Sequence, residues 1–208
     1  MTLGNSNNSH LNYTNMKNNN YWNDVAKYGA LLGVLMGSSK ILEQSMILSG
    51  NLTYMMLTMV EWLLFAVIFC LILIKAAKNR ASKVAPELGF SYGQGVSYMI
   101  LVSLFAAIPV TFLFYIYQNS IVGYDNYIAK LIQSMTQLIE PYKNMLDNNM
   151  LAQYEENVRI IKEQPKLSIF EMLYSTMLSY AFLGGIVGVI FAGLARRKPQ
   201  IFEGEETK

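Results

Sequence analysis

Four side chains near the ends of two apolar segments have the types and spacing for chemistry: Lys40, Glu43, Gln44 and Glu61. Ionisable groups in a membrane-spanning helix are costly, and they usually face the protein interior or a water-filled cavity. Counted inward from the turn at residues 49–53, Lys40 and Glu61 both lie about 12 Å from the helix ends, at about 1.5 Å per residue. The spacing predicts that Lys40 pairs with Glu61, that Glu43 joins them or reaches the interface, and that Gln44 completes the hydrogen bonding.

Two interpretations of this intramembrane polar network stay open. In the structural one, the ion pair fixes two helices in register. In the functional one, Lys40, Glu43 and Glu61 line a route for an ion or a proton.

Motifs for catalysis and metal binding are absent from the sequence. It has no Walker-type glycine loop, no GxSxG and no HExxH. One cysteine, Cys70, and one histidine, His10, leave no material for a disulfide, a thiolate metal site or a histidine-based triad. We therefore expect a protein that is not an enzyme and has no metal site and no cofactor. The net charge of +2 is too balanced to indicate a nucleic-acid surface.

Four long apolar segments must position the polar residues. The run from Tyr54 to Ile74 holds one ionisable residue, Glu61, and about 20 such residues suffice to cross a bilayer. The four predicted spans are residues 25–48, 54–74, 92–117 and 168–195. Only 14% of the residues are charged, against roughly a quarter in soluble domains. The predicted fold class is all-α, a polytopic membrane protein with four transmembrane helices.

The segments around these spans complete a single membrane domain over residues 21–198. Residues 1–20 are polar, which predicts a disordered tail. Residues 199–208 form a second tail. Between the third and fourth spans, residues 118–166 carry apolar side chains at helical spacing, which predicts an amphipathic helical hairpin. Mutual packing of its helices is the preferred interpretation, and a partner surface is the alternative. Ser168 and Glu171 predict a capping box that opens the fourth span.

Orientation is predicted from the positive residues, which collect in cytoplasmic loops. They lie in one short linker and after the last span: Lys75, Lys78, Arg80, Lys83, Arg196, Arg197 and Lys198. Four crossings then place both termini in the cytoplasm and the insert at residues 118–166 outside it. The inverted topology is the alternative.

Small residues recur at every fourth position in the first and last spans: Gly29, Gly33, Gly37, Gly184 and Gly188. In lipid there is little hydrophobic drive between helices, so close backbone approach along such faces supports association. The faces predict packing within the bundle or, alternatively, a homodimer or a partner helix docked on the glycines.

The layout resembles a family of bacterial four-helix inner-membrane proteins grouped as domain of unknown function 4199. The resemblance lies in YWNDVAKYGALLGVLMG in the first span, FSYGQGVSYMILVSLFAAI in the third and LGGIVGVIFAGLARRK at the end, and it covers about residues 21–198. It implies a multi-pass inner-membrane protein of unknown activity with no catalytic residues to transfer. Its members look to be encoded near membrane-associated glycosyltransferases, which hints at such an enzyme as a partner.

Two functions are compatible with these residues. The first is a non-catalytic accessory or scaffold subunit that contacts the lipid bilayer and another membrane protein or a second copy of itself. The alternative is a small transporter or channel that uses Lys40, Glu43 and Glu61. We favour the subunit, because the sequence shows neither an internal repeat nor charges spread through the depth of the bilayer.

Overall fold

A computed structural model describes residues 6–145 and 147–200, and the described chain is helical. Its six helices are α1 (Ser6–Ile47), α2 (Leu52–Lys83), α3 (Tyr92–Ile116), α4 (Tyr124–Ile139), α5 (Asn148–Glu163) and α6 (Ile169–Phe191). A π-helical turn, Tyr117–Ile121, extends α3, and 3₁₀ turns occupy Glu140–Met145 and Ala192–Ala195. The predicted all-α class is confirmed.

Within the described residues, four segments are long and apolar enough to cross a membrane: Tyr21–Ile47, Leu52–Lys83, Tyr92–Ile121 and Ile169–Ala195. They confirm the predicted number of transmembrane helices. The second is longer than predicted, because α2 continues beyond Ile74 to Lys83. Alanine and lysine are good helix formers, and Arg80 and Lys83 in the last turn interact favourably with the helix dipole. The predicted basic linker is therefore largely the end of α2.

Helix α1 begins at Ser6, inside the segment for which the sequence predicts a disordered tail. Residues 1–5 and 201–208 lie outside the described residues. This segment at the start of α1 is rich in asparagine. It gains helical backbone by propagation from the spanning segment, since each added residue contributes one hydrogen bond without a new nucleation step.

The chain forms two compact units. The first unit combines Met1–Gly33, Cys70–Ala107 and Met177–Lys208, and the second combines Val34–Phe69 and Ile108–Thr176. Helices α1, α2, α3 and α6 each contribute a segment to both units.

In the first unit, α3 is the helix against which the small residues pack. A Cβ added at Gly29 would lie 3.1 Å from the carbonyl oxygen of Val102, and one at Gly188 would lie 3.2 Å from the Cα of Val96. Gly184 meets Met99 in the same way, at 3.1 Å from its carbonyl oxygen. These glycines allow α1 and α6 to approach α3 closely.

In the second unit, α1 again packs on α3 through a glycine. A Cβ at Gly37 would come within 2.7 Å of Leu113 Cδ1 and 3.2 Å of Val110 Cα. The five predicted packing glycines are all buried, Gly33 included. Packing within the chain therefore covers these glycines.

Helix α2 exposes most of its large apolar side chains, as expected of a helix that faces lipid: Met56, Met59, Val60, Trp62, Leu63, Leu64, Val67 and Leu71 are all exposed. The fourth span opens with the predicted capping box. The Ser168 N–H donates to Glu171 Oε2 at 2.8 Å, and the Glu171 N–H donates to Ser168 Oγ at 3.3 Å.

The insert contains two helices, α4 and α5. A hydrogen bond of 2.7 Å joins the hydroxyls of Thr136 and Tyr154, one from each helix. Asp147 caps α5 by accepting the Met150 N–H at 2.8 Å. Tyr127 and Ser134 of α4 are buried, whereas α5 contributes no buried residue.

The neighbouring glycines of α6 test the close approach to α3. We expect Gly184→Ala to lower the free energy of unfolding by about 1–3 kcal/mol, because the added methyl would lie 2.7 Å from Ser103 Cβ. Gly185→Ala is the matched control. Its methyl would lie 3.9 Å from the nearest side chain, and alanine in a helix gains about 0.5–1 kcal/mol over glycine. Equal Tm values for both variants in mild detergent would contradict this packing.

Candidate functional site

The second unit contains all four residues of the predicted polar network, and it pairs Lys40 differently from the prediction. Lys40 Nζ lies 2.9 Å from Glu43 Oε2, one turn away on α1. The predicted Lys40–Glu61 pair is therefore wrong. A partner on the same helix requires little ordering of a long side chain. The Lys40 side chain is also 40% exposed, so its ammonium is not confined to the protein interior.

Glu61 on α2 is instead bonded by Ser39 on α1. Ser39 Oγ donates a hydrogen bond to Glu61 Oε1, and the two residues are 7% and 8% exposed. Within the described part of the chain, no lysine, arginine or histidine nitrogen lies within 4.0 Å of the Glu61 carboxylate. Sequence analysis missed Ser39, although its place next to Lys40 puts it at the same depth.

Gln44 joins α1 to α4. Its Oε1 accepts a hydrogen bond of 2.6 Å from the hydroxyl of Tyr127, and both residues are buried. Burial raises the pKa of Tyr127 to about 12, and the nearby Tyr117 and Glu43 add to the effect. The phenol therefore remains a hydrogen-bond donor throughout the physiological pH range.

A further hydroxyl pair continues this connection to the end of the third span. Ser45 Oγ and the Tyr117 hydroxyl lie 2.9 Å apart, and the Phe114 ring stands edge-on to the Tyr127 ring at 6.4 Å between centroids. Tyr117 and Tyr127 were not among the predicted site residues. The signal for Tyr117 was an aromatic belt and that for Tyr127 was the apolar face of an amphipathic helix, and neither indicates a partner on α1.

The polar network consists of separate pairs of neighbouring side chains, and these pairs do not form a reactive centre. Lys40 and Glu43 neutralise each other, Ser39 satisfies Glu61, and Tyr127 satisfies Gln44. Among the described residues, no three histidine, cysteine, aspartate or glutamate side chains are grouped so that they could hold a metal ion. The pairs link α1 to α2 and to α4, which favours the structural interpretation of the network.

All seven predicted topology residues fall in the first unit, and three of them make specific contacts. Lys83 Nζ holds both carboxylate oxygens of Asp24, at 2.6 and 2.8 Å. The Arg80 guanidinium lies 4.8 Å above the centroid of the Tyr21 ring.

The chain after the last span is joined to the loop before α3. Arg197 donates a side-chain hydrogen bond to the Val84 carbonyl, and its backbone exchanges bonds of 2.8 and 2.9 Å with Phe90. Asp24, the partner of Lys83, is 7% exposed, and the sequence did not predict it as a partner for any of these basic residues. The contacts tie the start of the first span, the end of the second and the end of the fourth together in this unit.

The bond between Tyr127 and Gln44 can be tested with a matched pair of tyrosines. We expect Tyr127→Phe to lower the free energy of unfolding by about 1–3 kcal/mol, because it leaves the buried Gln44 oxygen unsatisfied. Tyr124→Phe removes an exposed bond of 2.9 Å to the Gln164 carbonyl, so its Tm should stay close to wild type. A Tyr127→Phe protein as stable as the Tyr124→Phe protein would contradict the assignment.

Comparison with known proteins gives one positive finding. A family model described as "Protein of unknown function (DUF4199)" matches residues 27–197, which is most of the chain. No curated protein and no solved structure matches. The match confirms the family that the sequence motifs suggested and includes the polar network and most of the basic residues. This multi-pass membrane protein therefore belongs to the DUF4199 family of proteins of unknown function.

Proposed function

We propose that this integral membrane protein is a non-catalytic accessory or scaffold subunit that binds another membrane protein through its α4–α5 segment. The observation that carries the proposal is a set of large apolar side chains, outside the spanning helices, that are more than half exposed. They are Tyr142 at 52%, Met145 at 82%, Met150 at 55% and Ile160 at 54%.

Lipid tails do not account for these four residues, because none of them belongs to a candidate span. Single exposed apolar residues are common on proteins, but here four fall within residues 142–160. Covering apolar surface contributes about 25 cal/mol per Å², and methionine adapts well to the shape of a partner. Helix α5 has no buried residue of its own, so its packing within the chain leaves area for such a partner.

The polar network supports a subunit over the alternative of a transporter or channel. A polar route needs groups that can exchange partners with an ion or water along the path. Lys40 and Glu61 instead have separate neighbours within the second unit, and Gln44 is bonded by a buried tyrosine. These contacts hold helices together and supply no chain of free polar groups.

The basic residues support a placement in the bacterial inner membrane with both termini in the cytoplasm. Lys83 and Arg197, from the ends of the second and fourth spans, contact residues of the same unit as the start of the first span. The positive-inside tendency then assigns this end of the spans to the cytoplasm and the α4–α5 segment to the outside.

Photocrosslinking from α4–α5 tests the partner surface. With benzoylphenylalanine in place of Met145 or Ile160, we expect one common adduct in native membranes, at stoichiometric yield. The same group at Gln153, which is exposed and polar, should give little of it. Ile160→Glu should reduce copurification of the crosslinked protein while the Tm stays within a few degrees of wild type, because this side chain is 54% exposed. Recovery of the chain alone would overturn the subunit proposal.

Cysteine accessibility tests the orientation. In a Cys70→Ser background, a cysteine at Asn148 on α5 should react with a membrane-impermeant maleimide in cells whose outer membrane is permeabilised. A cysteine at Lys198, after the last span, should react only once the inner membrane is broken. Both positions are exposed on the protein, so access across the membrane alone separates them. The reverse pattern would establish the inverted topology.

A further inference from the structure

An open cleft of about 390 Å³ lies in the first unit, and none of its lining residues belongs to the polar network. Its walls include Tyr21, Arg80, Phe90, Ser91, Gln94 and Ser97. Pockets of roughly 300–1,000 Å³ hold small ligands or headgroups. We propose that this cleft binds the phosphate group of an anionic phospholipid, with Arg80 as its cationic contact.

The charge in the cleft favours an anion. None of the lining side chains is acidic, and among the described residues Arg80 forms no ion pair. Its guanidinium rests on the Tyr21 ring at 4.8 Å, which holds it by a cation–π contact without neutralising it. The nearby carboxylate of Asp24 is already held by Lys83 through both oxygens.

Three neutral donors accompany the arginine. The Ser91 N–H donates to Gln94 Oε1 at 2.8 Å, and the Gln94 N–H donates to Ser91 Oγ at 3.2 Å. These bonds fix both side chains and leave the Ser91 hydroxyl proton and the Gln94 amide group able to donate. The Ser97 hydroxyl also lines the cleft. An arginine fork with neutral donors around it suits phosphate oxygens.

The depth of the cleft argues for a lipid as the source of the phosphate. Tyr21 is the first residue of the first span, Ser91 and Tyr92 mark the start of α3, and Arg80 is three residues from the end of α2. Ends of spanning helices lie at the level of the headgroups. Val84 and Phe90 add apolar wall where the glycerol and upper acyl chains of a bound lipid would lie. A soluble phosphate ester has the same phosphate group as a lipid headgroup, but it has no acyl chains to contact this apolar wall.

The test is a titration of the full chain in mild detergent with phosphatidylglycerol, followed by native mass spectrometry. Phosphatidylcholine, whose phosphate is balanced by its own quaternary ammonium, serves as the reference without net charge and should bind more weakly. We expect Arg80→Met to weaken phosphatidylglycerol binding about fivefold or more, the effect of losing one basic contact near a membrane surface. Lys78→Met removes the same charge from the same helix at an exposed position outside the cleft, and its affinity should stay within about twofold of wild type.

A second variant tests the cleft by shape rather than charge. A Cβ at Gly93, which lines the cleft, meets nothing within 4 Å, so Gly93→Leu should fold and fill the space. It should weaken binding as strongly as Arg80→Met. Gly193→Leu is its control, because Gly193 is also unobstructed but does not line the cleft. The Tm of each variant verifies folding.

Two results would overturn the proposal. Equal phosphatidylglycerol affinity for Arg80→Met and Lys78→Met, or for Gly93→Leu and Gly193→Leu, would show that only general surface charge attracts the lipid. Displacement of phosphatidylglycerol by equimolar glycerol phosphate would show that the cleft takes a soluble phosphate ester instead of a lipid. Weak competition by glycerol phosphate, with loss of binding in both cleft variants, supports the lipid.

Discussion

Close backbone approach to α3 is the constraint on which the rest of the structure depends. In a bilayer the lipid tails are as apolar as the side chains, so helices associate through van der Waals contact that only small residues permit. In the first unit Gly29 and Gly188 provide that contact from α1 and α6, and in the second unit Gly37 provides it from α1. The polar contacts made by α1, such as that of Gln44 with Tyr127, are built on a helix fixed in this way. The glycines also explain why α2, which lacks such a face, keeps its large side chains toward lipid.

The second constraint is that polar groups within the spans must be satisfied where they lie, because a bilayer supplies no water. Lys40 and Glu43 are satisfied within one helix, Glu61 by a serine of another helix, and Gln44 by a tyrosine of α4. The bond to α4 has a consequence beyond the spans. It anchors the first helix of the insert, through the buried Tyr127, while α5 is held by exposed contacts such as Thr136 with Tyr154. The insert therefore has one helix, α4, that is anchored by a buried residue, and one helix, α5, whose surface is exposed.

Sequence patterns predict the spans and their number because bilayer thickness imposes a length that composition reveals directly. The capping box at Ser168 was equally predictable, since it is a local motif of two side chains. The partner of Lys40 was not. A lysine side chain reaches both Glu43 and residues on other helices, and the choice depends on helix rotation, which hydropathy does not encode. Ser39, Asp24 and Tyr127 were missed for the same reason, because each acquires its role only from a partner distant in sequence.

Arg80 and Lys40 differ in whether their positive charge is paired within the chain or free to bind a ligand. Lys40 has a carboxylate partner 2.9 Å away, so its charge is used within the chain. Arg80 has an aromatic ring beneath it and an open cleft beside it, so its charge is available to a ligand. Membrane helices keep unpaired charges only where water or headgroups can reach them, and the end of α2 is such a place. The polar network of the second unit is paired within the chain, so the surfaces proposed for binding lie elsewhere: the cleft for lipid phosphate and α4–α5 for a protein partner.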